Sequence, residues 1–184
     1  MDEEILNEKL TPLLTAGIIK PCFHADYVTN PIVAAKKDPV TGEWTDKRVA
    51  MDYRPINLVT PQDHVGIPLP DALFAEVGGS KWFSKMDMRQ GFLQIPIPPD
   101  RQHMTAFWWK GSMWQYTRCP YGLKNAPAHF QRVMQTVVRL EGLTSFVKVY
   151  IDDILIHSLT ASDHLLHVEP VSYTHLTLPT IYSV

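Results

Sequence analysis

Cysteine is scarce in this chain. Cys22 and Cys119 are the two in 184 residues, they stand far apart, and neither belongs to a CxxC pair. That argues against a disulfide scaffold and for reduced thiols in an intracellular protein. Long hydrophobic runs are missing as well: no stretch reaches the roughly 18–20 residues that a membrane span needs. The opening Met1-Asp2-Glu3-Glu4 is acidic and polar, unlike a signal peptide. A basic excess is absent too, with 17 Lys and Arg against 19 Asp and Glu and a formal net charge of −2. A nucleic-acid binder usually shows such an excess. Its absence weighs only mildly, because a site that clusters carboxylates can coexist with a single basic groove. No internal repeat is found. What remains is ordinary globular composition, 45% hydrophobic and 20% charged, sufficient for one domain or two small lobes. Fifteen prolines and nine glycines predict short elements with frequent breaks.

Residues 3–16 place Ile5, Leu6, Leu10, Leu13 and Leu14 at helical spacing, and Gly17 is a natural stop. Residues 31–52 read as a hairpin of two strands, 31–36 and 44–51, around the turn Asp38-Pro39-Val40-Thr41-Gly42. After a proline-rich stretch from Pro55 to Pro70, residues 71–77 form a short helix closed by Gly78-Gly79. Strands are expected at 82–88 and 93–97. A hairpin at 104–119 turns on Lys110-Gly111-Ser112. Asn125 can cap a helix that tolerates Pro127 in its first turn and carries Phe130, Val133, Met134, Val137 and Val138 at helical spacing. Two β-rich runs, 146–151 and 154–158, meet at Asp152-Asp153, and a further helix begins at Ala161. Helices and hairpins intermixed without a repeated βαβ unit predict an α+β fold.

The sharpest feature is Tyr150-Ile151-Asp152-Asp153, two adjacent carboxylates between apolar β runs. Taken alone it reads equally well as a solvated turn. Asp87 changes the balance, because it ends the apolar run Trp82 to Met86, and an acid on a buried strand is costly unless paired or metal-bound. Two carboxylates ~4 Å apart repel by roughly 4 kcal/mol at an effective dielectric near 20, so a cluster calls for a cation. Hard divalent ions with oxygen ligands suit it, and a pair of them can serve in-line phosphoryl transfer. The eight histidines show no metal-ligand spacing. His157, His164 and His167 read as surface helix residues rather than a zinc set.

Four segments stand in order: Val49 to Asn57 (VAMDYRPIN), Phe83 to Phe92 (FSKMDMRQGF), Pro120 to Pro127 (PYGLKNAP) and Tyr150 to Asp153 (YIDD). Over roughly residues 3–168 the chain resembles reverse transcriptases, RNA-directed DNA polymerases, of gypsy-class LTR retrotransposons. The resemblance implies a polymerase palm of antiparallel sheet and helices plus a fingers subdomain. Fingers are expected at 1–61 and 95–125, and palm at 62–94 and 126–168. It implies two Mg²⁺ (or Mn²⁺) ions held by Asp87, the Met88 carbonyl, Asp152 and Asp153, with Asp152 the better candidate for direct coordination. Partners would be dNTPs and an RNA or DNA template with primer, inside a cytoplasmic virus-like particle and without a membrane.

By the same resemblance Lys36 or Lys37 and Arg48 would bind the triphosphate. Phe92 would pack under the sugar and exclude a ribose 2′-OH, although on local grounds it reads as a core residue. Tyr121, where this class usually has Phe, would lie beside base and sugar, with Gly122 permitting close backbone approach. Asp52 and Arg54 look like structural members of the fingers. The thumb and RNase H regions that such polyproteins carry are not expected in this chain, and residues 169–184, whose last fourteen positions are free of Asp, Glu, Lys and Arg, read as a non-native tail. A catalytically inactive remnant, or a non-catalytic nucleic-acid-binding lobe, is the competing reading.

Overall fold

The computed structural model describes residues 2–35, 41–43, 48–64, 67–88 and 90–181, with residues 2, 48 and 173–181 described as backbone alone. The chain divides into two units, Met1–Pro61 with Pro96–Lys124, and Gln62–Ile95 with Asn125–Val184.

In the first unit the expected N-terminal helix is α1 (Asp2–Thr15). It ends at Gly17, whose φ of +69° lets the Gly17 and Ile18 amides return to the Leu14 and Leu13 carbonyls. Leu10 is its buried anchor. Strand β1 (Ile19–Pro21) has no signal in its own three residues. It pairs antiparallel with β6 (Ser112–Tyr116), which pairs in turn with β5 (Phe107–Trp109). The β5–β6 connection is the two-residue turn Lys110-Gly111, both at positive φ, as hairpin twist favours. Residues 99–105, where the sequence suggested the first strand beginning at Met104, form a 3-10 helix instead. The hairpin expected at 31–52 is present as β2 (Pro31–Ala34) against β3 (Arg48–Met51). Helix α2 (Arg54–Val59) starts with Pro55 in its first turn, at the head of the proline-rich stretch. Asp52 is paired through both oxygens to the Arg54 guanidinium at 2.7 Å, and this pairing holds its carboxyl below the ordinary value.

The second unit centres on a three-stranded antiparallel sheet in the order β4 (Trp82–Asp87), β8 (Asp153–Ser158), β7 (Val147–Tyr150). One face is lined by Val147, Val149, Ile154 and Ile156, all buried. Helix α4 (Ala126–Leu140) supplies Phe130, Met134, Val137 and Val138 to the core, the helical stripe read from sequence. Asn125 precedes α4, but its side chain does not cap the helix and accepts the Asp63 amide instead, while Arg132 pairs with Asp63. Helix α3 (Pro70–Val77) and helix α5 (Ala161–Ile181) complete the unit. The backbone of α5 continues past Val168 into the residues read from sequence as a tail.

Three further expectations fail. No strand forms at 93–97: residues 91–94 are a 3-10 turn, and only an isolated bridge from Pro96 to Arg118 follows. β4 is an edge strand and is not buried, so Trp82 and Phe83 are each 49% exposed and Asp87 is solvent-exposed. Nor are the three histidines surface helix residues as a set. His157 lies on β8, and His164 is buried with its two ring nitrogens on the Ser84 and Ser158 hydroxyls at 2.8 and 2.9 Å. His167 also reaches the Ser158 hydroxyl, at 2.8 Å, and stacks on Phe146. Serine hydroxyls, which both donate and accept, serve both ring nitrogens of His164, whereas His157 has only its Nδ1 on a hydroxyl, that of Ser80 at 2.9 Å, and its buried Nε2 has no hydrogen-bond partner.

Candidate active site

In the second unit the register pairs Asp87 with Asp153 across β4 and β8, so the two carboxylates leave the same face of the sheet. Lys85, two residues before Asp87 on that face, places its ammonium 2.9 Å from Asp153 Oδ2. Asp152 lies in the turn between β7 and β8. The Met88 amide donates to the Asp152 carbonyl at 3.2 Å and ties the end of β4 to that turn.

The two adjacent aspartates therefore meet different surroundings. Asp153 has a cation. Asp152 has a buried Oδ1 with no hydrogen-bond partner. Burial raises its carboxyl above the ordinary value, and the nearby Asp87 and then Asp153 charges push the same way. Among the described residues no three His, Cys, Asp or Glu side chains are gathered closely enough to cage an ion. Unneutralised carboxylates repel, and Asp153 is turned to Lys85. The orphaned Asp152 oxygen is nonetheless what a cation would satisfy, since leaving a charged acceptor desolvated and unpaired is costly.

The turn itself is strained. Ile151 sits at φ +51°, at the first central position of a two-residue hairpin connection where glycine is preferred. A β-branched residue there costs on the order of 1–3 kcal/mol. Beneath the turn, Gly91 approaches so closely that a Cβ would lie 2.8 Å from Phe130 Cζ and 3.4 Å from Asp152 Oδ1. Phe92 follows, buried, its ring edge-on to Phe130 at 5.3 Å between centroids. The ring is thus a member of this unit's core, next to the acidic turn.

Sequence reasoning missed Gln131. It is fully buried on α4, between the core residues Phe130 and Met134. Its Nε2 donates to the Val149 carbonyl at 2.9 Å, and its Oε1 accepts the Ile151 amide at 2.6 Å. A polar residue on an otherwise apolar helical stripe is the signal that could have found it.

The remaining candidates belong to the first unit. Tyr121 is 42% exposed. Gly122 has φ +100°, and a Cβ there would be 3.5 Å from both the Met51 carbonyl and the Tyr53 ring. Asn57 holds this loop by donating to the Gly122 carbonyl and accepting the Lys124 amide, each at 2.8 Å. Replacing Gly122 with alanine is expected to lower unfolding free energy by about 1–3 kcal/mol, because the side chain is forced into a positive φ. A guanidinium midpoint equal to that of the parent chain would refute this. Arg48 lies on β3 opposite Ala34 and is described as backbone alone, while Lys36 and Lys37 lie outside the described residues.

Comparison with known proteins fits this arrangement. The family model for reverse transcriptase (RNA-dependent DNA polymerase) matches residues 35–175. Polyprotein P3 of Commelina yellow mottle virus is 35% identical over 181 residues, 96% of this chain. The retrovirus-related Pol polyprotein from transposon gypsy of Drosophila melanogaster is 32% identical over 168 residues, 91% of this chain. This chain spans 9% and 16% of those two polyproteins. Among solved structures, a foamy viral protease–reverse transcriptase in complex with double-stranded DNA superposes with a TM-score of 0.80 at 27% identity, covering 95% of this chain and 29% of that one. The foamy viral protease–reverse transcriptase in complex with an RNA/DNA hybrid gives 0.77 at 28% identity, covering 95% of this chain and 22% of that one. Among the described residues no helix is long and apolar enough to cross a membrane.

Proposed function

This chain belongs to the reverse transcriptase family, and on that premise we propose that it carries the nucleotidyl-transfer centre of an RNA-directed DNA polymerase. The observation that carries the reading is the buried, unpartnered Oδ1 of Asp152 beside the charges of Asp87 and Asp153. In this reading residues 1–61 and 95–125 are fingers, and residues 62–94 and 126–168 are palm. Asp87, Asp152 and the Met88 carbonyl hold divalent cations, with Asp153 as the neighbouring acid. Two Mg²⁺ or Mn²⁺ ions, when bound, supply charge neutralisation for the attacking primer hydroxyl and for the leaving pyrophosphate oxygen. Lys36, Lys37 and Arg48 receive the triphosphate, for which ammonium and guanidinium groups are suited. Phe92 is assigned to the sugar of the nucleotide, and Tyr121 and Gly122 are assigned to its base and sugar. A template with primer is the macromolecular partner, and an intracellular particle is the setting.

The chain's own residues set the electrostatics of this step. Burial and the neighbouring Asp87 and Asp153 charges hold the Asp152 carboxyl above its ordinary value, an effect that a bound cation would oppose. Asp153 has its charge balanced within the chain by the Lys85 ammonium at 2.9 Å. Primer extension on poly(rA)/oligo(dT) with Mg²⁺ and dTTP tests the reading, in the parent chain and in the Asp152→Asn variant. Extension lost in the variant is the expected result. If neither this chain nor its fusion to the downstream segment of a relative extends the primer, the catalytic reading fails and a nucleic-acid-binding lobe replaces it.

A further inference from the structure

We propose that Gln131 is a positioning residue for the acidic turn: its carboxamide clamps the strained Ile151 and thereby fixes where Asp152 points. The proposal rests on the reading of Asp152 as a catalytic carboxylate. Among the described residues strand β7 is an edge of the sheet, with no neighbouring strand on the outer side of the Val149 carbonyl. The Ile151 amide, two residues on, needs a partner as well. One primary amide supplies both, donating to Val149 and accepting from Ile151, as the N–H and C=O of one residue of a further strand would. Gln131 is fully buried, so water cannot take its place.

The clamp falls on the residue that most needs it. Ile151 holds φ +51° against the preference of a β-branched side chain. Without the acceptor, the turn is free to relax toward negative φ. That relaxation rotates the peptide joining Ile151 to Asp152. Both the Asp152 carbonyl, which accepts the Met88 amide, and the Asp152 carboxylate then move. Such strain persists only where its surroundings over-determine it, and Gln131 is the group that does so here.

A double-mutant cycle in the full chain separates this role from simple core filling. Gln131→Met keeps the volume and removes both hydrogen bonds, while Ile151→Gly removes the strain, since glycine accepts positive φ. Amide hydrogen exchange at position 151 is expected to accelerate at least 10-fold in Gln131→Met, with the β4 amides remote from the turn unchanged. In primer extension, Gln131→Met is expected to lower kcat at least 10-fold with KM for dTTP within about 3-fold. In the Ile151→Gly background that kcat loss should shrink at least fivefold. Should Gln131→Met not fold, Gln131→Glu, which keeps an acceptor for the Ile151 amide, should retain slow exchange there. Unchanged exchange at position 151, or an equal kcat loss in both backgrounds, overturns the proposal. The exchange arm is read without turnover, so the clamp and the polymerase reading fail separately.

Discussion

Asp152→Asn should sharply lower nucleotidyl transfer and, in the absence of divalent cations, stabilise the fold. Both outcomes follow from the desolvated carboxylate. Removing a charge that cations must bridge is expected to lower primer extension by about 10³-fold, equivalent to about 4 kcal/mol of barrier. Asparagine leaves the turn's shape intact and removes the repulsion from Asp87 and Asp153. The gain is read as a rise in Tm of the variant over the parent, kept small by solvent screening of a partly exposed carboxylate.

The sign of the pH dependence follows from linkage. The Asp152 carboxyl is raised in the folded state, so the folded chain holds that proton more tightly than the unfolded chain does. Stability associated with the protonated form is fully present below the ordinary value of 3.8 and is lost as pH rises through the raised folded value. The advantage of Asp152→Asn over the parent is therefore largest at neutral pH and narrows toward pH 4. Adding Mg²⁺ should reverse the order, since a cation that binds the folded parent raises its Tm by mass action and the variant lacks the Asp152 carboxylate. Thermal melts at about pH 7.5 and about pH 4.5, with and without Mg²⁺ at about 10 mM, read all of this. A variant no more stable than the parent without Mg²⁺ would contradict the desolvation argument.

Gly91→Ala is the second large effect, and here packing decides. The added carbon would stand 2.8 Å from Phe130 Cζ and 3.1 Å from Cε2. Phe130 is 1% exposed and locked edge-on against Phe92, so its ring has nowhere to withdraw. Overpacking of this kind costs about 1–3 kcal/mol. The alternative, a shift of the 91–94 turn, disturbs the packing beside Asp152 Oδ1, which is 3.4 Å from the new carbon in the undisturbed geometry. A displacement of ~1 Å at a catalytic group can cost about 10²-fold in rate, so activity should fall along with stability. Phe130→Leu opens space beside position 91. Combined with Gly91→Ala it should cost less than the sum of the two single changes, measured by denaturant midpoints and primer extension. Strict additivity would mean that the Gly91–Phe130 contact is not the source of the loss.

Features written in consecutive residues are legible in the amino-acid sequence alone. Lys110-Gly111 between two apolar runs makes a hairpin turn because backbone φ preferences are local. The stripe from Phe130 to Val138 makes α4 because helical periodicity is local as well. Tyr150-Ile151-Asp152-Asp153 makes a carboxylate turn legible, and the order of four such segments makes the family legible. The reading of residues 93–97 as a strand fails for a complementary reason. An apolar run of that length takes whichever backbone its neighbours allow, and here Gly91 and Phe92 commit the chain to a 3-10 turn against Phe130. β1 is invisible in the sequence because its pairing with β6 joins residues almost a hundred positions apart.

The acidic site divides along the same line. That carboxylates cluster near residues 87 and 152–153 is a property of the sequence. Which of them is desolvated is decided only by the tertiary structure, and it is not the one the sequence pattern suggests. An acid ending an apolar run is expected to be costly on a buried strand, yet β4 is an edge and Asp87 is exposed, while Asp152 bears the burial. Solvation depends on what packs from outside the local segment: Gly91 under the turn, Lys85 beside Asp153, and the Gln131 amide from α4. Residue types and spacing determine which chemistry is available. Contacts between residues distant in sequence determine which oxygen is left for a cation, because burial and hydrogen-bond satisfaction are properties of the folded neighbourhood and not of the chain.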